Sequence, residues 1–298
     1  MAVHEGFRTT SGGLRDCYPL RLYQKAKRLR AWDPAAVDLT QHRRDWESLD
    51  ELQRETILSL TSLFAAGEEA VTLDLLPLVL AIARDGRVEE ELYLTTFLYE
   101  EAKHTELFAR FLDEVAGTRD DLERFHVPSY RTIFYEQLPV AMERLLTDPS
   151  HEALARAAVT YNMIVEGVLA ETGYESYHAS LAANGLMPGL RAALVQIKRD
   201  EARHIAYGVY LLSRLVASDA SIWSVIEARM NELLPHALGV ITETFEGYEN
   251  GVTPFGLEEA TFIDFATSQF AKRYDRISRA RGTSVAEVDA LAEAEVDA

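Results

Sequence analysis

Glu101-Ala102-Lys103-His104 and Glu201-Ala202-Arg203-His204 decide the reading of this chain, because the same Glu-x-x-His spacing occurs twice. Residues i and i+3 share a helix face, so each pair turns a carboxylate and an imidazole the same way. A lone glutamate precedes each pair by 33 and 35 residues, Glu68 in Ala65-Ala66-Gly67-Glu68 and Glu166 in Ile164-Val165-Glu166-Gly167. Two Glu-x-x-His helices plus two helices giving one glutamate each form the ligand set of a two-metal carboxylate site in a four-helix bundle.

The neighbouring residues turn these acids inward. Leu94, Phe97, Glu101, His104, Phe108 and Leu112 make one helical stripe, and Leu190, Leu194, Ile197, Glu201, His204 and Leu211 make a second. Phe64, Glu68, Val71 and Leu75 form a third, and Val159, Asn162, Glu166, Leu169 and Ala170 a fourth. An unpaired buried carboxylate costs several kcal/mol or becomes neutral. Two multivalent cations resolve that cost. Register selects Glu101 over Glu100, which shares its face with Tyr93, Thr96 and Lys103, and Glu68 over Glu69. A single Glu-x-x-His is common on ordinary surface helices; the doubled pattern on apolar stripes is not. The oxygen-rich set with one imidazole per metal suits iron and manganese better than zinc, and no His-Glu-x-x-His is present.

The 298 residues allow a large core, and the formal charge of −18 disfavours non-specific binding to nucleic acid or anionic membrane. Cys17 is the single cysteine, so no disulfide framework is expected and a reducing cytoplasm is the natural home. Met1 to Leu14 lacks the apolar core of a signal peptide. Leu75 to Ala83 is too short to cross a bilayer and contains Pro77, so no membrane insertion is expected.

The expected architecture is all-α, because no segment alternates like a sheet strand. Ser48-Leu49-Asp50-Glu51 reads as a capping box that starts a helix running through Glu68 to about Arg84. Further helices are expected at about 88–116, 129–146, 148–184, 188–217, 219–248 and 257–273. Residues 1–280 read as the metal-binding domain. Residues 281–298, Ala- and acid-rich without an aromatic, read as a mobile acidic tail.

The order Glu, Glu-x-x-His, Glu, Asp-Glu-x-x-His resembles the oxygen-activating branch of the ferritin-like superfamily. Trp32-Asp33-Pro34 followed by Arg43-Arg44-Asp45-Trp46 is similar to the N-terminal region of the ribonucleotide reductase small subunit. Ala66-Gly67-Glu68-Glu69-Ala70-Val71-Thr72, Glu100-Glu101-Ala102-Lys103-His104, Thr160-Tyr161-Asn162 and Val165-Glu166-Gly167 resemble the small-subunit-like ligand-binding oxidases more closely. The resemblance runs from about Gly13 to Arg281.

The resemblance implies a ferritin-like four-helix bundle with flanking helices and an oxidase that activates dioxygen. It implies manganese with Glu68, Glu101 and His104, iron with Glu166, Glu201 and His204, and Glu101 as a bridge; a di-iron centre is the alternative. It further implies a long-chain fatty acid in an apolar cavity, an electron donor of unknown identity, a homodimer, and a Val71–Tyr161 ether cross-link. Asp200 resembles the acid that orients a ligating histidine, here His104. Trp32 resembles the tryptophan of the reductase electron path, although packing is its expected role in an oxidase.

The residues themselves are compatible with the cross-link. Val71 lies one turn beyond Glu68 on the same face, and its β-carbon carries a tertiary C–H bond. Tyr161 lies five positions before Glu166, which α-helical periodicity does not put on one stripe, so its role rests on the resemblance alone. Three departures weigh against the rival reading, the radical-generating subunit of a reductase. Phe108 stands where a radical-forming tyrosine is usual, nothing after Tyr274 is aromatic, and Glu68 stands where aspartate is common. An iron-storage protein and an acyl-carrier-protein desaturase are more distant alternatives.

Overall fold

Asp50 starts the longest helix. Its carboxylate accepts from the Gln53 backbone N–H at 2.8 Å, and the Gln53 side chain accepts from the Asp50 N–H at 3.1 Å. The cap expected at Ser48 therefore falls two residues later, because Ser48 still ends the preceding helix. The computed structural model describes residues 13–29 and 32–296. Among these there is no β-strand, only an isolated bridge between Val252 and Glu258.

The helices follow the chain as α1 (Tyr18–Leu29), α2 (Thr40–Ser48), α3 (Glu51–Arg84), α4 (Val88–Phe111), α5 (Pro128–Arg131) and α6 (Leu138–Glu143). They continue as α7 (His151–Ala158), α8 (Glu171–Ala183), α9 (Pro188–Ser218), α10 (Ile222–Phe245), α11 (Glu259–Ser278) and α12 (Val285–Val296). The expected helix near 129–146 is α5 and α6 joined by a π-wound turn, Thr132–Gln137.

A longer π-wound segment, Val159–Ala170, joins α7 to α8 without a break. The Glu171 N–H reaches back five residues to the Glu166 carbonyl. Gly167 permits this winding, since a β-carbon there would stand 2.9 Å from the Asn162 carbonyl. Gly208 of α9 lets that segment come close, because its β-carbon would meet Asn162 Cβ at 2.2 Å.

α3 packs along α4, and the π-wound segment packs on α9. These four elements are the bundle, and each carries one part of the motif set. α10 and α11 cover the π-wound segment, while α1 and α12 lie against α4 and α9. Val71, Phe97 and Tyr161 belong to one apolar cluster, and Phe64, Phe108 and Ile197 to a second. The Glu and His residues lie at the junction of the two. The stretch 151–183 is the one described helical run long and apolar enough to span a membrane, and 89% of its apolar 18-residue window is buried in this core.

The expected mobile tail is a correction. Residues 285–296 form α12, whose Val288, Ala292 and Val296 are buried. Their i, i+4 spacing gives an apolar stripe that composition alone conceals. Ionic contacts complete the attachment, Arg214 to Asp289, Arg21 to Glu293 and Arg276 to Glu295. Residues 297 and 298 lie outside the described residues.

Candidate metal centre

α3 supplies Glu68, α4 supplies Glu101 and His104, the π-wound segment supplies Glu166, and α9 supplies Glu201 and His204. All six are buried, with exposures of 4% or less. They converge as two overlapping groups, Glu68–Glu101–His104–Glu201 and Glu101–Glu166–Glu201–His204. Glu101 therefore belongs to both groups, and Glu201 does too, which register alone did not indicate.

The imidazole Nδ1 atoms mark the two positions. His104 Nδ1 lies 3.4 Å from Glu68, 3.6 Å from Glu101 and 3.4 Å from Glu201. His204 Nδ1 lies 3.1 Å from Glu101, 3.4 Å from Glu166 and 3.6 Å from Glu201. Each shared glutamate faces one imidazole with each of its oxygens. The outer pair is different. Tyr174 donates to Glu68 Oε1, and Asn162 donates to Glu166 Oε2 at 2.8 Å, so each keeps one oxygen for the centre.

Behind the imidazoles the two motifs cross. His204 Nε2 faces Glu100 at 2.9 Å, and His104 Nε2 faces Asp200 at 3.4 Å. Lys103 donates to Asp200 at 2.9 Å, and Arg203 ties Asp200 to Glu100 at 2.6 and 2.5 Å. Trp32 donates its indole N–H to Asp200 at 2.8 Å, so the indole is more than packing. Fixing Nε2 from behind leaves Nδ1 as the coordinating atom and sets the ring plane.

Protonation answers to the same crowding. Burial pushes Glu68 up to about 8, against the pull of His104. Burial also raises Glu166 well above the carboxylate range. Burial acts on Glu101 in the same sense, but the two nearby imidazoles outweigh it and hold that carboxyl low. Both histidines are held well above their usual range, their burial outweighed by surrounding carboxylates. Asp200 is held low because His104 and Lys103 outweigh its burial.

The donor set fits a pair of cations. Both Glu101 oxygens, one oxygen each of Glu166 and Glu201, and both Nδ1 atoms are buried without a hydrogen-bond partner among the described residues. Such atoms are costly unless something binds them.

A cavity of ≈110 Å³ opens from the carboxylates. Gly67, Val71, Val165, Leu169, Val240 and Phe262 are among the residues that line it. Tyr161, fully buried, donates its hydroxyl to the Val71 carbonyl at 3.1 Å, which brings the two cross-link candidates together.

A four-helix bundle holding two overlapping carboxylate–histidine groups defines a dinuclear metal protein of ferritin-like fold. The family model for the small chain of ribonucleotide reductase matches residues 18–266. An R2-like ligand-binding oxidase with an aerobically reconstituted Mn/Fe cofactor is 40% identical, with a TM-score of 0.89 over 93% of this chain and 99% of that one. A valine-to-leucine variant of an R2-like ligand-binding oxidase, reconstituted anaerobically with Mn/Fe, is also 40% identical, at TM-score 0.88 over 93% of this chain and 100% of that one. A tyrosine-to-phenylalanine variant gives the same values. The chain belongs to the ribonucleotide reductase small-chain family and, within it, to the R2-like ligand-binding oxidases. That membership makes it an oxidoreductase.

Proposed function

We propose that the chain is an oxidase that uses dioxygen at a manganese–iron pair to oxidise a C–H bond, with a long-chain fatty acid or similar amphiphile in its cavity. The observation that carries this reading is the convergence of six unpartnered ligand atoms at the head of an apolar cavity. Glu68 and His104 would hold the manganese, Glu166 and His204 the iron, and Glu101 and Glu201 would be shared. The bound pair supplies the electrons that reduce dioxygen and the oxidising equivalents passed to the organic bond.

The chain's own residues do the rest. Tyr174 and Asn162 restrain the outer glutamates to one free oxygen each, which keeps coordination positions open. The apolar wall from Val71 to Phe262 excludes water. Among the described residues the acidic side chains on that wall are the site carboxylates and no cationic side chain lies there, so an anionic head is welcome only beside bound cations. At ≈110 Å³ the cavity is smaller than the ~300–1,000 Å³ of common ligand pockets, so a long acyl chain requires its outer side chains to part. Val71 and Tyr161, already in contact, are the pair that an ether link would join.

An apolar stripe on α3, Leu73, Leu76 and Leu80, is 66%, 46% and 39% exposed. Its partner in this reading is a second copy of the chain, giving a homodimer. The unpaired Cys17 favours a cytoplasmic setting. The rival reading, a radical-generating reductase subunit, is disfavoured by Phe108, which stacks on Phe64 at 5.2 Å between centroids in the place of a tyrosine.

Metal analysis after aerobic loading, with solvent extraction of the purified protein, tests the proposal. One manganese and one iron per chain with an extractable carboxylic amphiphile are expected. Two irons, or retention of a large reductase subunit in a pull-down, would move the reading to the rival.

A further inference from the structure

Tyr93 is a fully buried tyrosine whose hydroxyl has no hydrogen-bond partner among the described residues. Its ring stands between the metal centre and a second tyrosine. On one side Phe97 lies 6.2 Å from Tyr93 and stacks on His204 with centroids 3.5 Å apart. On the other, Tyr207 lies 5.2 Å away and is also fully buried. Unlike Tyr93, Tyr207 has an acceptor, since its hydroxyl donates to the buried Glu90 carboxylate at 2.9 Å. Arg87 pairs with Glu90 at 2.8 Å, and its side chain, 22% exposed, carries the array to solvent. None of these residues takes part in holding the ligands described above.

We propose that Tyr207 is a redox-active tyrosine that delivers single electrons to the His204 side of the centre through Tyr93 and the Phe97–His204 stack. The step is a proton-coupled oxidation. Tyr207 loses one electron to the dioxygen-oxidised metal pair, which is reduced by one electron. The phenolic O–H bond breaks, its proton passes to Glu90 along the existing hydrogen bond, and a neutral phenoxyl radical remains. A one-electron donor at the surface then restores the phenol, with the proton returning from Glu90.

The hydrogen-bonding difference assigns the roles. An oxidised phenol that cannot shed its proton is a strongly unfavourable cation in an apolar setting. Tyr93, lacking an acceptor, therefore passes the electron on, whereas Tyr207 can hold the radical. The route is separate from the Trp32–Asp200–His104 contact, which ends on the other imidazole. It gives oxidising equivalents an exit when no C–H bond is available.

This inference rests on the oxidase reading, and one experiment separates the two. Tyr161→Phe protein, which lacks the cross-link phenol, is loaded with manganese and iron(II) and mixed with oxygen. Oxygen uptake is followed while samples are freeze-quenched for electron paramagnetic resonance. The expected result is a radical signal that narrows when the tyrosines are ring-deuterated. Adding Tyr207→Phe should lower it at least tenfold. Adding Tyr93→Phe should slow its appearance by a similar factor, and Glu90→Gln should reduce its yield while leaving both rings in place. Metal content and thermal melting report whether each variant folds; should Tyr207→Phe fail, the Tyr93 and Glu90 variants decide. Oxygen uptake without a tyrosine signal, or a signal unchanged in the folded variants, overturns the relay. Absence of oxygen uptake overturns the oxidase reading and the relay with it.

Discussion

Glu100 on α4 lies 2.9 Å from His204 Nε2 on α9, while Asp200 on α9 faces His104 on α4. Each histidine is thus steadied by the acid that precedes the other motif's glutamate. Glu100→Ala should weaken metal binding at the His204 position by roughly 10–100-fold while the other position stays loaded, and Asp200→Ala should do the reverse. Metal content per chain after dialysis against a graded chelator measures both.

The contact between Tyr161 and the Val71 carbonyl leads to a mass prediction. Metal-free protein given manganese, iron and oxygen should lose two hydrogens in intact mass, and the peptides bearing Val71 and Tyr161 should stay joined after digestion. Val71→Ala removes the tertiary C–H and Tyr161→Phe removes the oxygen, so each should abolish the link without loss of metal. An unchanged wild-type mass after confirmed loading sinks the cross-link.

Proton release should accompany metal uptake. Without metal, Glu68 keeps its proton up to about pH 8, and His104 and His204 keep theirs above the ordinary histidine range. Each of these groups binds protons more tightly in the folded chain than in the unfolded one, where Glu and His titrate near 4.5 and 6.5. Their contribution to metal-free stability is therefore lost as pH rises through the folded values. Glu101 and Asp200, held low, are already ionised above pH 5.5 and leave that sign unchanged. The melting-temperature gap between metal-free and loaded protein should widen from pH 5.5 to 8.5, with each titrating group contributing at most about 1.4 kcal/mol per pH unit. A gap that narrows would contradict these assignments.

Leu73→Glu together with Leu76→Glu should leave the chain monomeric, because charges on the α3 stripe oppose burial against a second copy. Sedimentation measures the mass, and unchanged metal content serves as the folding control. A wild-type chain that is itself monomeric at micromolar concentration removes the dimer.

Much of the centre was legible because Glu68, Glu101, His104, Glu201 and His204 lie on helices whose winding is regular. Period alone put them on apolar stripes. Register set Glu100 off the ligand face, yet its contact with His204 was invisible there, since register within α4 says nothing about which imidazole on α9 it meets. A signal existed in the shared pattern acid-Glu-Ala-base-His of residues 100–104 and 200–204. Tyr174 had none, because the π-wound segment shifts the register of everything after it relative to α-helical counting. The same winding explains why Tyr161 and Glu166, five residues apart, both approach the centre. In α12, acidic composition masked a short apolar stripe that a count by fours brings out.

The winding at Val159–Ala170 also bears on how this chain is to be compared with other bundles. An α-helix advances by about 100° per residue, so the same residues rewound as an α-helix would set Tyr161 and Glu166, five apart, about 140° from each other and swing either the phenol or the carboxylate away from the other helices. A relative one residue shorter between the two would bring them to one face with ordinary α-helical winding. Alignments in this segment must therefore permit a gap inside an unbroken helix, where gaps are ordinarily forbidden, or they will pair Tyr161 with the wrong residue.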